Sequence, residues 1–184
     1  MILLINKSDF AGRVDLSVNL NEAKKLNQHI LHAQDFDLRQ LMRDEFYYSF
    51  LSTFNSDGTQ KPDTSQPLKD LYLGSKYSVN QVTWSSPGIK PVLIYFTAAR
   101  LIKGIDNHIS PNGFVEKKID FSEQISNSRK NYQANEYENQ AVAYWNMITT
   151  YLNHNKELYP IYFNKCGCQD SFKSRPKVIP INNF

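Results

Sequence analysis

Two histidines, His29 and His32, are the first pair in this sequence with a spacing that chemistry can use. On a helix they share a face within one turn, the arrangement by which two imidazoles hold a metal ion. No glutamate lies between them as in H-E-x-x-H, no third ligand stands out, and His108 and His154 lie far off in the chain. Surface or partly packed histidines are therefore expected. The carboxylates Asp35, Asp37, Asp44 and Glu45 follow closely and could form an acid–base pair or a metal cluster. Asp35 and Asp37 sit where helix caps belong, however, and Arg39 and Arg43 are interleaved for local pairing. Cys166 and Cys168, in a C-G-C, are poorly spaced for a structural disulfide and have no second pair to complete a zinc site. As nucleophiles they would lack a positioned base. G-x-S-x-G, Walker and G-x-G-x-x-G sequences are absent as well. The expectation is a protein without catalytic residues, metal or cofactor.

The elements that position these residues can be read from periodicity. Hydrophobic residues make up 41% of the chain, enough for a real core, and aromatic residues 13%, with 11 Tyr and 11 Phe. Rings on that scale carry large contact areas into cores and interfaces. A formal charge of +3 makes no strong electrostatic case for nucleic acid. No run approaches the roughly 18–20 apolar residues of a spanning helix, and "MILLINKSDF" lacks the basic start of an export signal. A soluble protein in a reduced, cytosolic setting is expected.

Residues 1–20 read as an extended N-terminal arm, with Val14, Leu16, Val18 and Leu20 at a period of two. They suit an edge strand or an arm laid on a neighbour. Asn19 or Asn21 can cap a first helix with Ala23, Leu26, Ile30 and Ala33 on one face. Asp35 or Asp37 can cap a second, striped by Leu38, Leu41, Met42, Phe46 and Phe50 and widened by Tyr47, Leu51 and Phe54. A polar loop over 55–67 leads to a short helical turn and to "SKYSVNQVTW", a strand or hairpin. "GIKPVLIYFTAARLI" is apolar on every side, starts with Pro91 and can end at Gly104, which marks a buried central helix. Lys90 and Arg100 near its ends are expected to reach solvent or a carboxylate. Turn-rich residues 105–120, with "SPNG", predict an extended hairpin-like loop, and its Asn112 and Phe114 are candidate partner contacts. A long helix from about Ser122 to His154 has a polar first half, expected to project or meet a neighbour. Its second half carries Ala141, Tyr144, Trp145, Ile148, Tyr151 and Leu152 into the core.

The fold class is therefore mainly α: a small helical bundle with a buried central helix, one long C-terminal helix, a minor β-hairpin or extended loop, and extended terminal arms. The helical domain spans 21–158 and the C-terminal tail 159–184. That tail is net basic and interspersed with apolar residues, and its candidate partner contacts are Phe163, Phe172, Lys173, Arg175, Lys177, Ile179, Ile181 and Phe184. Its basic residues are too sparse for a phosphate track, so a protein partner is favoured over nucleic acid.

The succession of "AQDFDLRQLM", "GIKPVLIYFTAARLI", "SPNGFVEKK" and "QAVAYWNMITTYLNHNKELYP" resembles the head–tail connector (adaptor) proteins of tailed bacteriophages. The form it is similar to is that of phages of Bacteroides and of crAss-like phages. The likeness covers roughly residues 20–162, and its specificity comes from the order of the segments. It implies a structural virion protein in a closed, twelvefold ring beneath the portal, made in the host cytoplasm. Its partners would be its own copies, the portal and other neck or tail proteins, with DNA passing through the channel without sequence-specific binding. No membrane, cofactor or bond chemistry is implied. A tail-completion or other neck ring further from the portal is the alternative, and a helical nucleic-acid-binding module is the rival class.

Overall fold

The computed structural model describes residues 2–16, 25–104, 107–110, 113–116 and 127–164. Its centre is α5 (Ile89–Gly104), buried at Ile89, at every residue from Pro91 to Ala99, and at Leu101. Pro91 occupies the first turn, where its missing N–H costs nothing. The long helix α6 (Asn127–His154) runs antiparallel beside α5, as fixed by Lys103–Glu138 (2.6 Å) at one end and Tyr95 stacked on Tyr144 (5.5 Å) further along. Ala134, Ala141, Trp145, Ile148 and Leu152 form the buried seam of α6. Steps of seven, four, three and four keep such a seam on one face of a helix. The alanines of this seam, with Ala98 and Ala99 on α5, leave room for close helix approach.

The helix beginning α1 (Asn27–His32) does not stop at Asp35 or Asp37. It continues through a π-helical stretch, Ala33–Leu38, into α2 (Arg39–Met42). The aspartates are mid-helix, and the predicted cap positions are corrected accordingly. The break comes at Arg43, whose φ of 67° and ψ of 153° turn the chain into α3 (Asp44–Leu51). Leu38, Met42, Phe46, Tyr47, Phe50 and Phe54 are all buried, so the expected stripe holds across the break.

After α4 (Gln66–Leu73) comes an antiparallel hairpin of β1 (Ser75–Val79) and β2 (Val82–Ser86), in the register Tyr77↔Trp84 and Val79↔Val82. Its two-residue turn places Asn80 and Gln81 at positive φ, 50° and 65°, the requirement of the tight turns that match strand twist. Gly74 and Gly88 flank the hairpin base and touch: a Cβ on Gly88 would lie 2.4 Å from the Gly74 nitrogen. A second antiparallel pair, β3 (Asn107–Ser110) and β4 (Gly113–Glu116), lies in the segment expected to be hairpin-like.

Residues 2–16 form no strand and pack onto the core of their own chain. Leu4, Ile5, Phe10 and Val14 are buried, each burial worth roughly 1.5–3 kcal/mol for a large apolar side chain. The carboxamide of Gln34, itself 1% exposed, accepts from the Leu4 N–H (2.7 Å) and donates to the Ile2 carbonyl (3.0 Å). The Tyr72 hydroxyl donates to the Leu4 carbonyl. A 3₁₀ turn, Lys7–Phe10, is capped by Asn6 and Asp9, and the Arg13 and Val14 N–H groups donate back to the Phe10 carbonyl, so the first of the period-two residues closes a turn and not a strand. Val18 and Leu20 lie outside the described residues.

The C-terminal boundary also shifts. Tyr159, placed at the start of the tail, is a core residue, its hydroxyl donating to the Pro67 carbonyl (2.7 Å) and sharing a hydrogen bond with Tyr151 (3.0 Å). A further turn, α7 (Pro160–Phe163), packs on α3 through Tyr162 and Phe46, ring centroids 5.3 Å apart. The chain belongs to the packed body as far as Asn164.

Candidate interaction surface

The residues with catalytic spacing are put to structural use. Asp37 forms a two-pronged ion pair with Arg100 (2.6 and 2.8 Å), which raises the pKa of the guanidinium. Asp35 accepts from the Tyr47 hydroxyl (3.1 Å), and burial, with that carboxylate beside it, pushes the phenol well up. Lys90 reaches Asp9 (2.7 Å), so all three cations of the central helix, Lys90, Arg100 and Lys103, end on carboxylates. The rings of His29 and His32 are edge-on with centroids 6.4 Å apart. Burial, then the charges of His32, Arg100 and Lys25, lower the His29 pKa. Among the described residues no three His, Cys, Asp or Glu side chains gather as a metal site. No helix among them is long and apolar enough to cross a membrane. A surface depression is walled by one consecutive segment, Lys7 and Phe10–Leu16, and converges no chemistry from elsewhere in the fold.

Among the described residues Phe36, Tyr48, Trp84 and Tyr132 are exposed rings; Tyr132 stands on the outer side of α6, and the other three lie at two places. The first straddles the break at Arg43, with Phe36 on the π-helical stretch and Tyr48 on α3. Phe36 is 61% exposed with Arg100 stacked over its ring at 5.6 Å, and His32 lies edge-on to it at 5.7 Å. Tyr48, 52% exposed, carries Arg39 at 5.2 Å, and Arg39 is held in turn by Asp44 (2.8 Å). Each guanidinium is thus fixed between a carboxylate and an open ring. Aromatic and arginine side chains held in place like this are the usual anchors of protein–protein contacts.

The second place is the β1–β2 hairpin. Tyr77 packs on Tyr151 (5.1 Å) and Trp84 lies 6.5 Å from the His154 ring, so one hairpin face rests on the end of α6. Trp84 is still 47% exposed, and Val82, a step nearer the turn, 57%. The hairpin overhangs the helix end. The two patches mark opposite ends of the α5–α6 pair. Arg100 lies beside the Lys103–Glu138 contact, and His154 is sixteen residues beyond Glu138, roughly 24 Å along the helix axis.

Of the residues anticipated as partner contacts, Phe163 is partly buried on the core, its ring under Lys156 at 5.6 Å. Phe114 belongs to β4, its backbone paired with Ile109. Asn112, Phe172, Lys173, Arg175, Lys177, Ile179, Ile181 and Phe184 lie outside the described residues. Phe36, Tyr48 and Trp84 were missed as surface anchors, because their spacing also fits a buried stripe or strand face. The expected projection of α6 is partial: residues 127–129 and 131–133 are exposed, but Ala134 is fully buried.

The profile of a family of unknown function (DUF6712) matches residues 47–172, more than half of the chain. That span begins within α3 and takes in the hairpin, the α5–α6 pair and α7. No curated protein and no solved structure matches the chain.

Proposed function

The chain belongs to the DUF6712 family, and on that premise we propose that it is a structural ring subunit of a tailed-phage neck. In this reading its copies join the portal to the tail and continue the DNA channel, and the chain performs no bond chemistry. The sequence resemblance to head–tail connectors supplies the setting. The structural observation that carries the reading is the pair of unlike aromatic patches at opposite ends of one rigid helix pair. A closed ring needs two different surfaces per subunit, each complementary to the other or to a neighbouring ring, whereas a two-fold dimer uses one surface twice. The patch at Phe36 and Tyr48 combines rings with oriented arginines. The patch at Val82 and Trp84 is apolar.

Co-expression with the cognate portal, followed by negative-stain imaging and light scattering, tests this. Rings of uniform diameter on the portal are expected, and Phe36→Glu with Tyr48→Glu should abolish them while leaving the helical circular dichroism unchanged. Unassembled subunits in the wild-type sample would sink the proposal. Duplex DNA binding that falls steeply with salt would favour a nucleic-acid-binding module instead.

A further inference from the structure

The face of α6 opposite its buried seam has a composition unlike that of an ordinary protein surface. Between Glu138 and His154 no residue is charged, although 21% of the chain is. Gln140, Ala143, Asn146, Met147, Thr150 and Asn153 are all exposed there, Met147 at 47%. Solvated surfaces carry interspersed Lys and Glu, whereas depletion of charge around an exposed Met is the composition of an interface core. The strip has no cation to meet the phosphates of a nucleic acid. The spacing on this face identifies its cover. Glu136, Gln140, Ala143, Met147, Thr150 and His154 follow at steps of four, three, four, three and four, the 3.5-residue repeat of a helix-pairing seam. All but the half-buried Glu136 are exposed. These steps are the same in both directions, so a second copy laid antiparallel brings the seam onto itself. Ala143 then faces Met147, Gln140 faces Thr150, and Glu136 faces His154. The largest side chain of the seam meets the smallest, and a carboxylate meets an imidazole at each end. A parallel copy in register would set Glu136 against Glu136 and Met147 against Met147. The outer layers are already ordered: the Thr150 hydroxyl donates to the Asn146 carbonyl (3.0 Å), and the His154 ring lies against Tyr77 (6.0 Å) and Trp84 (6.5 Å).

We propose that the outer face of α6 is a two-fold contact between copies of this chain, helix antiparallel to helix, with the axis level with Trp145. The seam is roughly 27 Å long on a helix 10–12 Å across, so the pair covers about 300 Å² in projection. Each partner of a standard stable complex buries about 800 Å². The dimer is therefore weak and reversible, and it forms where copies are concentrated. It uses one surface twice and leaves Phe36 and Tyr48 free, so it does not rest on the ring reading.

Disulfide trapping in the full-length chain reads the register. Cys166→Ser and Cys168→Ser remove the native thiols, and Phe36→Glu with Tyr48→Glu silences the other patch. In that background Ala143→Cys and Met147→Cys proteins are mixed equally at several hundred micromolar and oxidised slowly. Positions 143 and 147 of opposing copies are level, whereas each is about 6 Å along the axis from its own counterpart. Across a helix pair that offset exceeds the roughly 7 Å that a disulfide spans between Cα atoms. The mixed disulfide should therefore exceed either homodisulfide about tenfold, well beyond the statistical proportion. A statistical mixture overturns the proposal, and so does an excess of homodisulfides, the mark of parallel pairing. Sedimentation equilibrium in the Phe36→Glu, Tyr48→Glu background is the second measurement. A monomer–dimer equilibrium is expected, weakened about tenfold by Met147→Asp with unchanged far-UV circular dichroism. A protein that stays monomeric at several hundred micromolar, or a dimer indifferent to Met147→Asp, overturns the proposal as well.

Discussion

Replacing Gln34 with alanine should detach the N-terminal segment from the helix that holds it. The carboxamide makes two hydrogen bonds to the backbone of residues 2–4, and Leu4, whose N–H it accepts, is buried. Removing the acceptor orphans that N–H, at about 1–3 kcal/mol. Loss of the bond to the half-buried Ile2 carbonyl adds about 1 kcal/mol. The total is roughly 2–4 kcal/mol, or a fall in Tm on the order of 5–15 °C for a chain of this size. Urea unfolding followed by far-UV circular dichroism gives the global cost. Trypsin cleavage after Lys7 and Arg13 reports local release, which would appear even if the rest of the core stayed folded. Tyr72→Phe frees the same Leu4 peptide from the other side, so the double variant should depart from additivity by at least about 0.5 kcal/mol. Gln34→Glu offers an internal control. Ionised, it can accept from Leu4 but repels the Ile2 carbonyl, and protonation restores a donor, so its deficit relative to wild type should shrink toward pH 4. An alanine variant with an unchanged urea midpoint and unchanged trypsin resistance would refute the reasoning.

Three further outcomes are expected. Because His29 has a folded pKa below its ordinary 6.5, the folded state binds the proton less readily than the unfolded chain. Its contribution is intact above that value and is lost as pH falls through it toward the lowered pKa. The urea midpoint should drop between pH 7.5 and 5 and drop less in His29→Gln, and identical slopes would exclude His29 as the cause. Gln81→Gly should raise stability by about 1 kcal/mol, since glycine holds a φ of 65° without the steric cost of a side chain. A lower Tm would count against that turn geometry. Arg43→Gly should relieve strain of about 1–3 kcal/mol at φ 67°, ψ 153°, partly offset by about 0.5–1 kcal/mol of extra chain entropy. Thermal unfolding should show a net gain, and a net loss would mean that the Arg43 side chain does more than cross that break.

What the sequence made legible was whatever a single period could carry. The all-round apolar helix with Pro91 at its start, the stripe from Leu38 to Phe54, the hairpin at Asn80–Gln81 and the core half of the long helix are in place. The misreadings came where a local rule met a distant partner. Asp35 and Asp37 resemble caps, but Tyr47 and Arg100 employ them in mid-helix. Val14 and Leu16 alternate like a strand, yet Val14 closes a turn onto the Phe10 carbonyl, and Gln34 and Tyr72, far along the chain, hold residues 2–4 upstream of it. Tyr159, followed by Pro160, looked like the end of ordered structure, but two hydrogen bonds to its hydroxyl tie it to Pro67 and Tyr151. Exposure was the least legible property. Nothing in their spacing separates the open Phe36, Tyr48 and Trp84 from the closed Phe46, Tyr47 and Trp145, since only packing of the whole chain decides which rings are left out.

The π-helical stretch from Ala33 to Leu38 gathers three attachments to other parts of the fold within one widened turn. Hydrogen bonds reaching one residue further than in an α-helix accommodate an extra residue in the turn. Within this stretch Gln34 points to the N-terminal segment, Asp35 to α3 and Asp37 to α5. Deleting one residue there would let the turn close as an α-helix with Leu38 and Met42 still facing the core, but the narrowed turn would have one residue fewer from which to direct these three side chains. Length at this point is therefore as constrained as residue identity. A relative one residue shorter in this turn would have to give up or rebuild at least one of the three attachments, so insertions and deletions should fall in the flanking loops.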